Sequence, residues 1–254
     1  MIPEMTVQLY SVREQLEADY EGTIRAIAEM GFGNVEPAGF PGSTAAEAAK
    51  LFESLGLQSP SCHGALPVGD DKNRVIEEAQ MLGHRYIITG GPPGFMDAYE
   101  NTDTVKAMID HYCEGAAVAA EHGLLVGYHN HDRDLQDVDC KPGYHYFLEN
   151  TPDTVLYEAD LYWVARAGLD PAAFVQEIGA RGKVLHYKDG DYSGEDNVFL
   201  PAGAGNVDLL AASKVAEHVE YAAVELDSYD GDMMQAIQES YTYLTSAGIG
   251  QGNK

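Results

Sequence analysis

Leu124-Leu125-Val126-Gly127-Tyr128-His129-Asn130-His131-Asp132-Arg133-Asp134 runs from an uncharged stretch, rich in Leu and Val, straight into two histidines and two aspartates. A buried parallel strand has this form where it leaves its sheet and opens into a site. Side chains two apart on a strand share a face, so His129 and His131 can point one way while Asn130 points the other. On its own the segment fits a hydrogen-bonded surface cluster as well as a metal site. Recurrence of the same kind of segment along the chain separates the two readings.

Working outward, short apolar runs that end in polar residues alternate with helical patterns. Val-Gln-Leu-Tyr at 7–10 reads as strand one, and Tyr20, Ile24, Ile27 and Met30 at helical spacing predict a helix over 20–30 that Gly31 stops. Strand two falls at 34–39 and ends in Glu36; Ser43 or Thr44 caps a helix over 45–55. The segment 57–64 is a poor strand because of Pro60, but it closes on His63, and a helix over 72–82 follows. Strand four occupies 85–91 and precedes a long helix over 102–122; Gly90-Gly91-Pro92-Pro93-Gly94 lacks the Lys-Ser/Thr ending of a phosphate-binding loop and is read as a plain loop. After strand five come a short helix near 144–149, strand six at 155–160, a helix over 170–180 with Pro171 at its first position, strand seven at 184–189, a helix over 208–219, strand eight at 221–227 and a last helix over 232–244. Eight such pairs predict a (β/α)₈ TIM barrel, and 254 residues suit one such domain spanning 1–254.

With 15 Lys and Arg against 41 Asp and Glu, the formal net charge is -26. Such a surface repels phosphate backbones and anionic lipid, so neither nucleic acid nor membrane is expected as a partner. No run of about 18 apolar residues predicts a transmembrane helix, and the start Met1-Ile2-Pro3-Glu4-Met5 has no basic region before an apolar one. A cytoplasmic location is the expectation. Cys62, Cys113 and Cys140, odd in number and widely spaced, read as free thiols.

In barrels of this type the carboxyl ends of the strands converge on one pocket. Here those ends carry Glu36, His63, His129, His131, Asp160, His186, Lys188 and Glu225. Imidazole nitrogen with carboxylate oxygen suits a divalent transition metal better than calcium, which prefers an all-oxygen shell.

The chain resembles the sugar phosphate isomerase/epimerase family, the xylose isomerase-like TIM barrels that include inosose dehydratase, ketose 3-epimerases and, more remotely, endonuclease IV. The resemblance covers nearly the whole chain. It is carried by Val-Gln-Leu-Tyr-Ser-Val-Arg at 7–13, Tyr-His-Asn-His at 128–131, His-Tyr-Lys-Asp at 186–189, Gly-Ala-Gly-Asn-Val-Asp at 203–208 and Val-Glu-Leu-Asp at 224–227. It implies one divalent metal ion, manganese first, with cobalt, iron, nickel, magnesium or zinc as alternatives. The ligands it implies are His129, Asp160, His186 and Glu225, with histidine at 129 where the family pattern most often has glutamate. Glu225 also matches one of the two glutamates that exchange the sugar's proton in the epimerases.

The resemblance further implies a small-molecule sugar substrate, a ketose, inosose or keto-sugar, that loses a proton next to its carbonyl and is isomerised or epimerised. Lyase or dehydratase chemistry is the alternative outcome; an endonuclease-like phosphodiesterase conflicts with the charge, and sugar binding without catalysis is a further class. His131, Glu36 or Lys188 is expected to move the protons, with His63 at substrate hydroxyls. Lys188 has a second reading, as the partner of a buried carboxylate. Glu158 shares a face with Asp160 one layer deeper and is read as support. Trp163 either stacks on a sugar face or plugs the barrel top, and Tyr10 is open in the same way. Few basic residues near the mouth, among them Arg13, Arg133 and Arg166, argue against a phosphorylated substrate. A homo-oligomer is implied by analogy alone.

Overall fold

The computed structural model describes residues 2–90 and 98–253. Eight parallel strands form one sheet: β1 (Glu4–Gln8), β2 (Asn34–Glu36), β3 (Ser61–His63), β4 (Tyr86–Thr89), β5 (Leu125–His129), β6 (Leu156–Asp160), β7 (Val184–His186) and β8 (Tyr221–Val224). Their order is β2-β1-β8-β7-β6-β5-β4-β3. The remaining seam, between β2 and β3, is bridged by backbone bonds from Val35 N to Gln58 O (2.9 Å), Gln58 N to Gly33 O (3.0 Å) and His63 N to Pro37 O (2.8 Å). The sheet thereby closes into the expected (β/α)₈ barrel.

The outer layer is α1 (Tyr20–Met30), α2 (Ala45–Leu55), α3 (Lys72–Leu82), α4 (Thr102–Ala120), α5 (Gly143–Asn150), α6 (Pro171–Ile178), α7 (Leu209–Val215) and α8 (Met233–Ser246). Their ends follow local chemistry. Thr44 caps α2, Asn101 forms a capping box with Thr104 at α4, and Asp170 caps α6. Among the described residues, no helix is long and apolar enough to cross a membrane. Cys62, Cys113 and Cys140 are free.

Alternation along the strands sorts the chain into two cores. Outward side chains such as Met5, Val7, Val35 and Val126 pack beneath the helices, while Tyr86, Ile88, Leu156, Val184, Tyr221 and Ala223 form a separate cluster inside the barrel. Following the inward positions upward gives Leu156, Glu158, Asp160 on β6 and Val184, then His186, on β7. The barrel is therefore apolar at its base and ionisable at its carboxyl end. Space inside is tight: a Cβ on Gly127 would lie 3.1 Å from Ile88 Cγ1 and 3.2 Å from Leu156 Cβ.

Several boundaries differ from the sequence reading, each for a local reason. Strand one is Glu4–Gln8, not 7–10; Gln8 Oε1 accepts the Tyr10 amide at 3.1 Å and turns Leu9–Val12 into a 3₁₀ turn. Pro60 delays β3 to Ser61, since it has no N–H to give, while its carbonyl accepts from Tyr86 N at 3.0 Å. Strand seven stops at His186. Asp189–Asp191 instead pairs antiparallel with Val198–Leu200 in a hairpin outside the barrel. The segment after Asp160 is a helix, Leu161–Arg166, because Asp160 Oδ1 accepts the Trp163 amide at 3.0 Å. Of the run Gly90 to Gly94, only Gly90 lies within the described residues.

Asp189 anchors the loop that leads to α7. Its buried carboxylate accepts backbone amides from Gly203 (2.8 Å), Gly205 (3.1 Å) and Val207 (3.1 Å), as well as its neighbour Gly190 (2.8 Å). The glycines are needed for this closeness. A Cβ on Gly205 would fall 2.2 Å from Asp189 Oδ1.

Candidate functional site

A cavity of about 520 Å³ opens at the carboxyl end of the barrel, lined among others by Tyr10, His63, His129, His131, Glu225 and Asp227. Beneath it lie Glu36, Glu158, Asp160, His186 and Lys188, each no more than 1% exposed. The parallel register explains the convergence. His129 stands opposite Glu158 between β5 and β6, and Asp160 opposite His186 between β6 and β7.

Glu158 Oε2 is the hub of the floor. It lies 2.5 Å from His63 Nε2, 2.9 Å from His129 Nδ1 and 3.2 Å from His186 Nε2. His186 Nε2 also faces Glu36 Oε1 at 2.9 Å, and its Nδ1 faces Glu225 Oε2 at 2.9 Å. Glu36 is held in turn by Gln8 Nε2 at 2.6 Å and by the Ser61 hydroxyl. On the other side, Lys188 Nζ lies 2.7 Å from Asp227 Oδ1, 2.9 Å from Glu225 Oε2 and 3.1 Å from Asp160 Oδ2.

These contacts set the charges. Burial alone would raise the Glu158 and Glu225 carboxyls, but imidazoles around the first, and Lys188 with His186 around the second, hold both well below the usual range. Burial pushes Asp160 up to about 7 against the pull of Lys188, and burial together with Glu158 raises Glu36. Burial would deprotonate His186 and Lys188, yet their carboxylate partners outweigh it and raise both. His129 is lowered to about 4, chiefly by burial. His131 is lowered to about 2 by burial and by neighbouring His129 and Lys188, so its imidazole is neutral.

The eight strand-end residues named from the sequence are thus brought together, in two layers. His63, His129, His131 and Glu225 reach the cavity, whereas Glu36 and Lys188 lie below it, in contact with protein groups. Tyr10 is 42% exposed at the rim with the Arg13 guanidinium 4.1 Å from its ring. Trp163 is buried, its ring 5.6 Å from His131 and 5.9 Å from Phe199, which is the setting of a plug. Asp227, which lines the cavity, was missed; Glu158, read as support one layer deeper than Asp160, lies there and touches three imidazoles. Continuing the inward alternation from Glu225 by two positions would have found Asp227.

Two overlapping groups offer ligand atoms within 4.8 Å of one another: His63, His129, Glu158 and His186, and His129, Asp160, His186 and Glu225. Glu158 Oε1 is buried and accepts no hydrogen bond, while Asp160 Oδ2 is met by the Lys188 ammonium at 3.1 Å. A buried carboxylate oxygen left without a partner beside imidazole nitrogens fits a divalent cation.

No protein-family model and no curated protein sequence matches the chain. Solved structures do. A sugar phosphate isomerase/epimerase from Parabacteroides distasonis superposes with a TM-score of 0.82 at 22% identity, over 98% of this chain and all of that one. The IOLI protein, solved with a zinc atom, gives 0.73 at 13% identity over 96% and 98% of the two chains. The probable 3-DHS dehydratase AsbF of Bacillus anthracis, involved in petrobactin synthesis, gives 0.71 at 14% over 95% and 98%. At these identities the likeness is one of architecture, and the chain has the fold of the xylose isomerase-like TIM barrels.

Proposed function

We propose that this protein is a divalent-metal-dependent enzyme that removes the proton next to the carbonyl of a ketose, inosose or keto-sugar and thereby isomerises or epimerises it. The observation that carries the reading is the layered site: a cavity of about 520 Å³ with titratable walls over a floor of imidazoles and carboxylates, in which Glu158 Oε1 is left without a partner. The structural neighbours support it, since they include a sugar phosphate isomerase/epimerase and a protein solved with zinc.

His129 and His186, common to both candidate donor groups, would hold the ion together with carboxylates of the floor. A bound divalent ion would supply Lewis acidity towards a carbonyl or an adjacent hydroxyl oxygen. The chain's own residues do the rest. Of the four groups offered for the proton transfers, His131 and Glu225 line the cavity. Glu225 is tied to Lys188 and His186, so the neutral His131 is assigned as the base that takes the proton from carbon, the negative charge developing on the substrate beside it offsetting the burial that lowers its basicity. His63, partly exposed in the wall and fixed by Glu158 at 2.5 Å, is placed to meet substrate hydroxyls. Glu36 supports His186 from below, and Lys188 holds Asp160, Glu225 and Asp227 in place.

Asp227 favours a second reading. It offers a carboxyl group on the cavity wall, from which a leaving hydroxyl could be protonated after His131 has taken the α-proton, giving elimination. The probable dehydratase among the neighbours is in keeping with that outcome. A panel of ketoses, inososes and keto-sugars in D₂O, with Mn²⁺, Co²⁺ or Zn²⁺ added, tests both readings by NMR and mass spectrometry. Deuterium on carbon without loss of mass otherwise means isomerisation or epimerisation; loss of water means elimination. Turnover that survives intact in His131→Ala would sink the assignment of the base, and no reaction with any of the sugars would sink the class.

A further inference from the structure

Both shared imidazoles face carboxylates on their two nitrogens. His129 presents Nδ1 to Glu158 Oε2 at 2.9 Å and Nε2 to Asp160 Oδ2 at 4.0 Å. His186 presents Nε2 to Glu36 Oε1 at 2.9 Å and to Glu158 Oε2 at 3.2 Å, and Nδ1 to Glu225 Oε2 at 2.9 Å. A neutral imidazole has one N–H and one lone pair, so a cation takes one side while a carboxylate accepts the proton on the other. Two arrangements satisfy this rule, and they are near mirror images. In one the ion sits on the outer side with Asp160 and Glu225; in the other it sits deeper with Glu158.

Lys188 breaks the tie. Its ammonium already stands against Asp160 Oδ2 at 3.1 Å and Glu225 Oε2 at 2.9 Å, the two carboxylates of the outer group. It is 1% exposed, and its ammonium lies 5.4 Å from the Trp163 ring centre and 5.3 Å from that of Phe199. A divalent ion in the outer group would have to share both carboxylates with a fixed positive charge. The deeper group has no ammonium or guanidinium against its donors among the described contacts. It adds a third imidazole, His63, stacked on His186 at 5.2 Å with 8° between the planes. It also contains Glu158 Oε1, buried and without a hydrogen bond.

We propose that the divalent ion is held by His63, His129, Glu158 and His186, and that the Lys188 ammonium serves as the cation of the outer carboxylates. The proposal rests on the metal dependence put forward above and refines where the metal lies. His63 and His129 offer Nε2 and Nδ1 respectively, and His186 offers Nε2, which exchanges its contact with Glu36 Oε1 for the ion. Glu225 then accepts from His186 Nδ1–H and Asp160 faces His129 Nε2–H, so both act on the ion only through a histidine. Because His63 and His129 also line the cavity, an ion held by them would be within reach of a molecule bound there.

The test is metal binding, not turnover. Chelator-treated protein is titrated with Zn²⁺ against a competing chelator, for wild type, His63→Ala, Glu158→Gln and Asp160→Asn, with circular dichroism confirming that each apo form is folded. Loss of a ligand should weaken Zn²⁺ by more than ~100-fold in His63→Ala and Glu158→Gln, whereas Asp160→Asn, which acts through His129, should weaken it by no more than about 10–100-fold. X-ray absorption on the wild-type Zn²⁺ form should count three imidazoles. That measurement decides the matter even if a variant fails to fold. Two imidazoles, or zinc lost in Asp160→Asn and kept in His63→Ala, would overturn the deeper site and leave the metal dependence standing. A wild type that binds no Zn²⁺, Mn²⁺ or Co²⁺ would overturn both.

Discussion

Replacing Lys188 by methionine keeps the length of the side chain and removes the one ammonium that faces Asp160, Glu225 and Asp227 at 2.7–3.1 Å. Removing one partner from a buried ion cluster leaves the others uncompensated, at a cost of about 3–5 kcal/mol. With an unfolding entropy of about 2.1 cal/mol/K per residue, 254 residues give about 0.5 kcal/mol/K, so Tm should fall by about 6–10 °C. The loss should depend on pH in a definite direction. In the wild type, burial would raise the Glu225 carboxyl, but Lys188 and His186 depress it, so its stabilising contribution is present at neutral pH and fades as pH falls. In the variant the buried carboxyls rise, and a raised carboxyl favours the fold below its unfolded pKa of about 4, an advantage lost as pH climbs through the folded value. The gap between the two proteins is therefore widest near pH 8 and narrows towards pH 5. Differential scanning calorimetry of both, chelator-treated and at several pH values, measures it. A fall under 2 °C, or a gap independent of pH, would refute the charge reasoning and make Lys188 a spectator.

Asp134 gives a second pH test. Burial pushes its carboxyl up to about 7, only partly offset by the Tyr128 hydroxyl and the His131 amide, so the fold loses stability as pH rises from about 4 to 7. Asp134→Asn can still accept the His131 amide, and should be the more stable protein at pH 8 by up to about 4 kcal/mol, the advantage vanishing near pH 4; equal denaturant midpoints at both pH values would contradict this. Asp189→Ala removes the acceptor of four backbone amides and should cost at least ~2 kcal/mol locally, read as faster hydrogen exchange at Gly203, Gly205 and Val207; unchanged protection there would show that the loop is held by other contacts. Finally, the net charge of -26 implies self-repulsion that salt screens as the Debye length shrinks from about 30 Å at 0.01 M to about 8 Å at 0.15 M. Tm should climb over that range of NaCl, and a flat response would place the acids in compensated pairs.

Much of the architecture was legible because each unit carries its own punctuation: an apolar run, a cap such as Thr44 or Asp170, and a glycine stop such as Gly31, Gly56 or Gly83 in the left-handed region. What escaped the sequence reading depends on side chains acting at a distance or on contacts that composition does not mark. Asp189 reads as the end of a strand, yet its carboxylate is used by amides 14 to 18 residues further on, and this draws it into a hairpin. Asp160 reads as a strand end with a loop after it, while its second oxygen caps a helix and buries Trp163. For the site, listing strand ends found the members but not their depth. His131 and Lys188 are both strand-end ionisable residues in sequence; one reaches the cavity and the other is 1% exposed beneath aromatic rings.

The histidine at 129 has a carboxylate neighbour in Glu158. The pattern that the chain resembles most often has glutamate at position 129, and the register sets Glu158 directly beside His129 on the neighbouring strand, where paired strands run about 4.8 Å apart. The acid absent from β5 is thus present one strand over, at the same height in the barrel. That displacement changes what each group can do. A carboxylate at 129 would lie on the cavity wall, free to exchange a proton with substrate, whereas Glu158 is 1% exposed and tied to three imidazoles. The wall is left with His129, and the nearest inward position beyond it on the same strand end is His131, 5.1 Å away between ring centroids. On the proposed assignment proton transfer falls to His131 and support of the floor to Glu158, and a reaction that needs a carboxylate at the cavity surface must draw on Glu225 or Asp227.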